Sequence, residues 1–309
     1  ATQNTAEGLA YRYALKELNP FVLVGDVALY AAHNVNGELD LYDPATGLGN
    51  LTQTYLTDRS HLLAHLIERN LADSITVPAS SSHAREKEYF YDYASSTALF
   101  TARALPFSGT EPAADVQRFI FGSDAAETGA TAIQGGDVVD HLYGGGGNDE
   151  LHGGKGNDRL EGQLGIDMLF GEDNNDYLIG GQGDDILDGG ASADRLEGGL
   201  GADTYILKST EAGNDIIRDI DGLGAIKLDG VTLTGGDVSG VTGKWQRNNV
   251  TYTFIPDATG RGNLIINSAA GRATVENFAN GELGINLLDA PAPPPPPPPT
   301  PIDRTIIGD

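Results

Sequence analysis

Residues 144–161 read Gly144-Gly145-Gly146-Gly147-Asn148-Asp149-Glu150-Leu151-His152, then Gly153-Gly154-Lys155-Gly156-Asn157-Asp158-Arg159-Leu160-Glu161. Both nine-residue units follow one pattern, G-G-x-G-x-D-x-U-x, where U is a large apolar residue. The pattern runs without a gap through eight copies, from Gly135 to Ile206. Position 1 is Gly135, Gly144, Gly153, Gly162, Gly171, Gly180, Gly189 and Gly198. Position 6 is Asp140, Asp149, Asp158, Asp167, Asp176, Asp185, Asp194 and Asp203. Position 8 is Leu142, Leu151, Leu160, Leu169, Leu178, Leu187, Leu196 and Tyr205. A glycine-rich tract is ordinarily a flexible linker. A linker has no use for one inward-facing apolar side chain in every nine residues.

Each unit is too short to fold alone. The x-U-x triplet predicts a short strand with U facing inward, and the six residues before it predict a turn with positive φ at some positions. Stacked units pair their strands in parallel, roughly 4.8 Å apart. With alternate units on opposite sides, one coil takes two copies and the leucines of two sheets meet between them. The block carries sixteen Asp and Glu against three Lys and Arg, so it repels itself. Calcium answers that repulsion: it takes carboxylate and backbone carbonyl oxygens, and turns stacked on one side offer both. Binding free energy is then folding free energy, and without the ion the tract is expected to be disordered.

The block resembles the RTX (repeats-in-toxin, haemolysin-type calcium-binding) family of secreted bacterial proteins. The resemblance implies a mainly β fold, a parallel β-roll with calcium held between successive turns on the same side. It implies aspartate pairs two copies apart: Asp140/Asp158, Asp158/Asp176 and Asp176/Asp194 in an odd ladder, Asp149/Asp167, Asp167/Asp185 and Asp185/Asp203 in an even one. That stacking gives about six internal sites. Candidate carbonyl ligands are Gly144, Gly153, Gly162, Gly180 and Gly198 at position 1, with Gly146, Lys155 and Leu164 at position 3. Position 4 separates the ladders. It is Gly147, Gly165, Gly183 and Gly201 in the even copies but Val138, Gly156, Asn174 and Ser192 in the odd ones. Valine fits a positive-φ position poorly, so the even ladder is expected to bind more tightly.

Outside the eight copies, Gly122-Ser123-Asp124 and Thr128-Gly129-Ala130 read as worn repeats that begin the roll. Downstream, Gly213 to Asp219 keeps an apolar/acidic alternation. In similar proteins such a segment closes the roll, which makes Asp219 the first candidate to complete the last site and Asp215 the second; solvated acids on an edge strand are the alternative. The expected organisation is an α+β N-terminal flank over 1–118, the calcium-binding roll over 119–221, an antiparallel β C-terminal cap over 222–289 and a proline-rich linker over 290–309.

Composition excludes several classes. The formal net charge is −25, and no basic stripe suggests nucleic acid as a partner. There is no cysteine for a disulfide framework, and no apolar run long enough for a transmembrane helix. The chain starts at Ala1, without a signal peptide, and its one methionine is Met168. It reads as a piece of a longer protein, secreted or on the bacterial cell surface. The resemblance implies export by type I secretion machinery. A cell-surface or glycan ligand, or a hydrolase with catalytic residues upstream, are the alternative readings.

The N-terminal flank resembles segments that follow lipase-like domains in large RTX proteins. It predicts a helix over Glu7–Leu18, strands at Phe21–Val24 and Glu38–Tyr42, and a helix capped by Asp58 that runs to Asn70. His61 and His65 lie one turn apart with Glu68 nearby, but a zinc hydrolase would need a glutamate base between them. No G-x-S-x-G elbow occurs, and adjacent Ser82-His83 is no triad. Some RTX-like proteins process themselves at Asp-Pro bonds, but nothing around Asp43-Pro44 resembles that module. Strands are predicted at Ala225–Leu228, Val250–Phe254 and Asn263–Ile266, with Trp245 a packing residue. Pro293 to Pro299 predicts a stiff spacer. The expected function is a calcium-binding module, not catalytic by itself.

Overall fold

A computed structural model describes residues 5–17, 27–35, 37–72, 88–94, 97–100, 116–211, 213–239, 241–268 and 271–288. The nine-residue period folds as a parallel β-roll. Odd copies place His141–Gly146, Arg159–Leu164, Tyr177–Gln182 and Arg195–Leu200 side by side in a fourteen-stranded sheet. Even copies place Glu150–Lys155, Met168–Asp173, Ile186–Asp188 and Thr204–Leu207 in a seven-stranded sheet.

Register follows the sequence period. Leu142 pairs Leu160, which pairs Leu178, which pairs Leu196. Opposite them run Leu151, Leu169, Leu187 and Tyr205. All eight side chains are fully buried in one core. Most strands are longer than the predicted triplet. They continue through the first three residues of the next turn, so each spans six residues in copies such as Arg159–Leu164. Position 5 adds a ladder on the outside of the turns: Ile166 N–H donates to Asn148 Oδ1 at 2.9 Å, Ala193 N–H to Asn175 Oδ1 at 3.0 Å and Ala202 N–H to Asp184 Oδ1 at 2.7 Å.

The worn repeats do begin the roll. Gln117–Phe121 pairs with His141–Gly146, and Ile133–Gln134 with Glu150–Lys155. At the far end, Asn214–Arg218 extends the odd sheet and Ala225–Leu228 the even one. Arg272–Phe278 joins Asn214–Arg218 in parallel, and antiparallel strands Gly262–Asn267, Val250–Pro256, Lys244–Arg247 and Gly235–Val238 follow. Tyr252, Leu264, Val275 and Phe278 extend the leucine core without a break. Trp245 packs against that core, and its Nε1–H donates to Leu288 O at 3.0 Å.

The N-terminal helices are α1 (Ala6–Glu17), α2 (Val27–Ala32) and α3 (Gln53–Ala72). Two expectations change here. Asp58 does not cap a helix; it lies buried inside α3, and Thr52 Oγ1 instead accepts the Tyr55 N–H at 3.0 Å. Glu38–Tyr42 is not a strand but a turn with isolated bridges, Leu41 to Leu51 and Asp43 to Leu48. The expected strand Phe21–Val24, the Ser82-His83 pair and the proline run lie outside the described residues.

The flank also does more than cap the first coil. Glu88–Asp92 adds to the odd sheet beyond Gln117–Phe121. Then α3 and the 39–52 turn cover that sheet's outer face, where Tyr143, Glu161, Ile179 and Glu197 are buried. Thr52 Oγ1 donates to Glu161 at 2.8 Å, and Asn50 Oδ1 accepts Gln182 Nε2–H at 3.0 Å. No helix among the described residues is long and apolar enough to cross a membrane.

Candidate metal centre

The turns put each position-6 aspartate at the inner edge of the roll, where three of its oxygens have separate partners to find. The backbone carbonyl accepts an N–H from the coil after it, as when Asp158 O takes Tyr177 N–H at 2.9 Å. Carboxylate Oδ1 accepts an N–H from the coil before it. Asp149 N–H donates to Asp167 Oδ1, Asp158 N–H to Asp176 Oδ1, Asp167 N–H to Asp185 Oδ1 and Asp176 N–H to Asp194 Oδ1, each at 2.8 Å. Asp140 N–H to Asp158 Oδ1 and Asp185 N–H to Asp203 Oδ1 complete the two ladders.

The third oxygen, Oδ2, has no hydrogen-bond partner in Asp149, Asp158, Asp167, Asp176, Asp185, Asp194 and Asp203, although it is buried in all seven. A buried carboxylate oxygen without a donor is costly. Each of five such oxygens converges on a backbone carbonyl of the next coil. A methyl group added at Gly144 would lie 2.7 Å from both Asp149 Oδ2 and Gly162 O. One added at Gly153 would lie 2.7 Å from Asp158 Oδ2 and Gly171 O. The same convergence brings Asp167 Oδ2 to Gly180 O, Asp176 Oδ2 to Gly189 O and Asp185 Oδ2 to Gly198 O. Position 1 is therefore glycine because a side chain would fill the space between two oxygens.

Electrostatics say what belongs there. Burial pushes the Asp158, Asp167 and Asp194 carboxyls up to about 7, Asp149, Asp176 and Asp185 to about 8 and Asp203 to about 9. These groups hold a proton near neutral pH unless a cation compensates their charge. Paired carboxylates with converging carbonyls, all oxygen, suit a hard cation such as calcium. Among the described residues no three His, Cys, Asp or Glu side chains cluster to hold a metal.

The turn conformation supports this. Positions 2 and 4 of copies 2 to 8 all have positive φ, from 77° at Glu172 to 136° at Gly183. Gln163, Glu172, Asn174 and Ser192 adopt it without being glycine. Copy 1 is the exception, since neither Gly136 nor Val138 has positive φ. Its Asp140 Oδ2 is not unpartnered; it accepts the Gly136 N–H at 2.5 Å.

At the far end, Asp215 continues the odd ladder: its Oδ1 accepts Asp194 N–H at 3.2 Å. Asp219 accepts the Tyr205 hydroxyl at 2.9 Å and the Gly222 N–H at 2.6 Å, beside Asp203. The position-3 residues Gly146, Lys155 and Leu164 end strands, with Gly146 paired to Leu164 and Lys155 to Asp173. Lys155 Nζ reaches Asp137 at the exposed rim, 3.0 Å away. The converging carbonyls of Gly171 and Gly189 were not among the sequence candidates, though the position-1 period already pointed to them.

No curated protein matches the chain. Residues 134–169 and 170–205 each match the profile of the RTX calcium-binding nonapeptide repeat (4 copies). Residues 134–205 are thus an RTX calcium-binding nonapeptide repeat region, folded as a parallel β-roll.

Proposed function

We propose that the chain is a calcium-binding module of a larger secreted bacterial protein and is not catalytic by itself. Calcium would supply the positive charge and the multiple oxygen coordination that the slots lack. Asp149, Asp158, Asp167, Asp176, Asp185 and Asp194 hold it with the carbonyls of Gly162, Gly171, Gly180, Gly189 and Gly198. Asp203 and Asp219 sit at the last even turn, with the Tyr205 hydroxyl between them.

The observation that carries this reading is the row of buried, unpartnered Oδ2 atoms, each of the first five facing a carbonyl. Such a row is unfavourable without a cation, so the folded roll and the bound ion are thermodynamically linked. In a low-calcium cytosol the roll would stay unfolded and thread easily through type I secretion machinery. Outside the cell, sites of the extracellular class, roughly 10⁻⁴ to 10⁻³ M, would fill and drive folding.

The test is far-UV circular dichroism during calcium titration from a chelated state, with magnesium as control. A cooperative coil-to-β change with calcium alone is expected. A fully folded spectrum in chelator would overturn the linkage.

A further inference from the structure

The two ladders begin differently, and the difference lies in one side chain. Each starts with a residue 22 positions before its first aspartate, in place of the 18 that separate the repeat aspartates from Asp140 to Asp203. In the even ladder that residue is Glu127, whose N–H donates to Asp149 Oδ1 at 2.8 Å. Its carboxylate lies where an aspartate's would, and its Oε2 approaches Gly144 O beside Gly122. In the odd ladder the residue is Arg118. Its N–H donates to Asp140 Oδ1 at 2.6 Å, so its backbone occupies the same rung.

The Arg118 side chain runs inward and is buried. Its Nη1 donates to Gln134 O at 2.9 Å and to Gly135 O at 2.6 Å. Gly135 is position 1 of copy 1, and position-1 carbonyls are the ones that converge on the slots elsewhere. A guanidinium therefore meets the position-1 carbonyl of copy 1 on the side where the later rungs bring a carboxylate oxygen to such a carbonyl. Guanidinium is a permanent cation that hydrogen-bonds carbonyl oxygens, so it satisfies them without metal. Asp140 Oδ2 and Gly153 O still converge around Gly135, but Gly136 N–H already fills that Oδ2 and Arg118 N–H fills Oδ1. The turn of copy 1 also lacks the left-handed residues found in all seven later copies.

We propose that copy 1 is a metal-independent cap: Arg118 is the built-in cation of the odd ladder, and calcium enters that ladder only from Asp158 onward. This rests on the calcium reading above. The cap gives the roll one finished turn before any ion arrives, on which the next coil can stack. The Asp140/Asp158 pair expected from the repeat spacing is then not a calcium site.

Native mass spectrometry of the full chain in calcium tests this by counting ions. Asp149→Asn and Asp140→Asn remove equivalent first aspartates of the two ladders. Asp149→Asn is expected to lose one ion and Asp140→Asn none. Loss of an ion from Asp140→Asn as well would overturn the proposal. If Asp149→Asn loses none, the calcium reading itself falls, and this inference with it.

Arg118 is tested separately by circular dichroism. Arg118→Met removes a charge-assisted contact, a change of about tenfold to a hundredfold in the folding equilibrium. Divided over several ions taken up together, that raises the calcium midpoint roughly twofold, with the ion count unchanged. Arg118→Lys keeps the charge and is expected to restore most of the midpoint. If Met and Lys variants shift equally, Arg118 fills space only and the built-in cation is refuted.

Discussion

The buried Asp58 carboxylate of α3 accepts the Tyr143 hydroxyl at 2.5 Å across 85 residues of chain. His141 Nδ1 lies 2.6 Å from the same oxygen, and Tyr55 meets the Tyr143 ring edge-on at 5.0 Å between centroids. The N-terminal flank is thus joined to the first full coil by a shared carboxylate as well as by apolar packing. Tyr143→Phe removes one hydrogen bond to a charged group and keeps the ring. It should cost the calcium-loaded chain about 2 kcal/mol in denaturant unfolding and leave the number of bound ions unchanged. No change in unfolding would mean that this hydrogen bond does not help to hold the flank on the roll.

Protons and calcium should compete for the same oxygens. The folded aspartates titrate from about 6 at Asp140 to about 9 at Asp203, against an ordinary 3.8. Burial is the main cause. A folded-state value raised above the unfolded one means the folded roll binds protons that the unfolded chain releases. In chelator, that stability is fully present below about pH 4 and is lost as pH rises through 6 to 9. Circular dichroism in chelator should therefore show more β-structure at mildly acidic pH than at pH 8. With calcium the sign reverses, since ions displace protons: affinity rises with pH over the same window, and a pH-stat records proton release on binding.

Position 1 makes a geometric prediction. A methyl group at Gly162 would lie 2.7 Å from Gly180 O and press on Asp167 Oδ2. Gly162→Ala should abolish the ion between Asp167 and Asp185 and raise the calcium midpoint. Isothermal titration is expected to show one site fewer. Full stoichiometry would mean that the slot does not lie where these oxygens converge.

The roll was legible because three positions recur at a fixed period, and a period of nine with one apolar residue permits little besides stacked turns. Position 6 was equally legible as an acid. Its division of labour was not: that Oδ1 serves the backbone while Oδ2 stays unpartnered depends on which N–H lies above each turn. The flank is less legible for a similar reason. Asp58 has the chemistry of a helix cap, but α3 begins earlier, at the Thr52 hydroxyl, and Asp58 turns toward Tyr143 and His141 of another element. Arg118 is not legible in the sequence, because its role follows from a 22-residue rung that no repeat pattern marks.

The last prediction concerns the inequality of the ladders. Even copies hold position 4 at φ values of 103° for Gly147, 131° for Gly165, 136° for Gly183 and 133° for Gly201. Among odd copies only Gly156 reaches 134°; Asn174 stops at 79° and Ser192 at 95°. A φ near 130° is open to glycine, whereas a Cβ confines other residues to the narrow left-handed region at a cost of about 1–2 kcal/mol. The odd turns therefore carry strain and aim their peptide groups differently. We expect the even ladder to fill at lower calcium. Ser192→Gly should lower the midpoint, limited by the extra chain entropy glycine brings, for a net gain of up to about 1 kcal/mol. Gly183→Ser should act oppositely and more strongly, because its Cβ would collide with Gly165 O. Calcium midpoints followed by circular dichroism decide this. A rise with Ser192→Gly, or none with Gly183→Ser, would show that turn conformation does not set the order of filling.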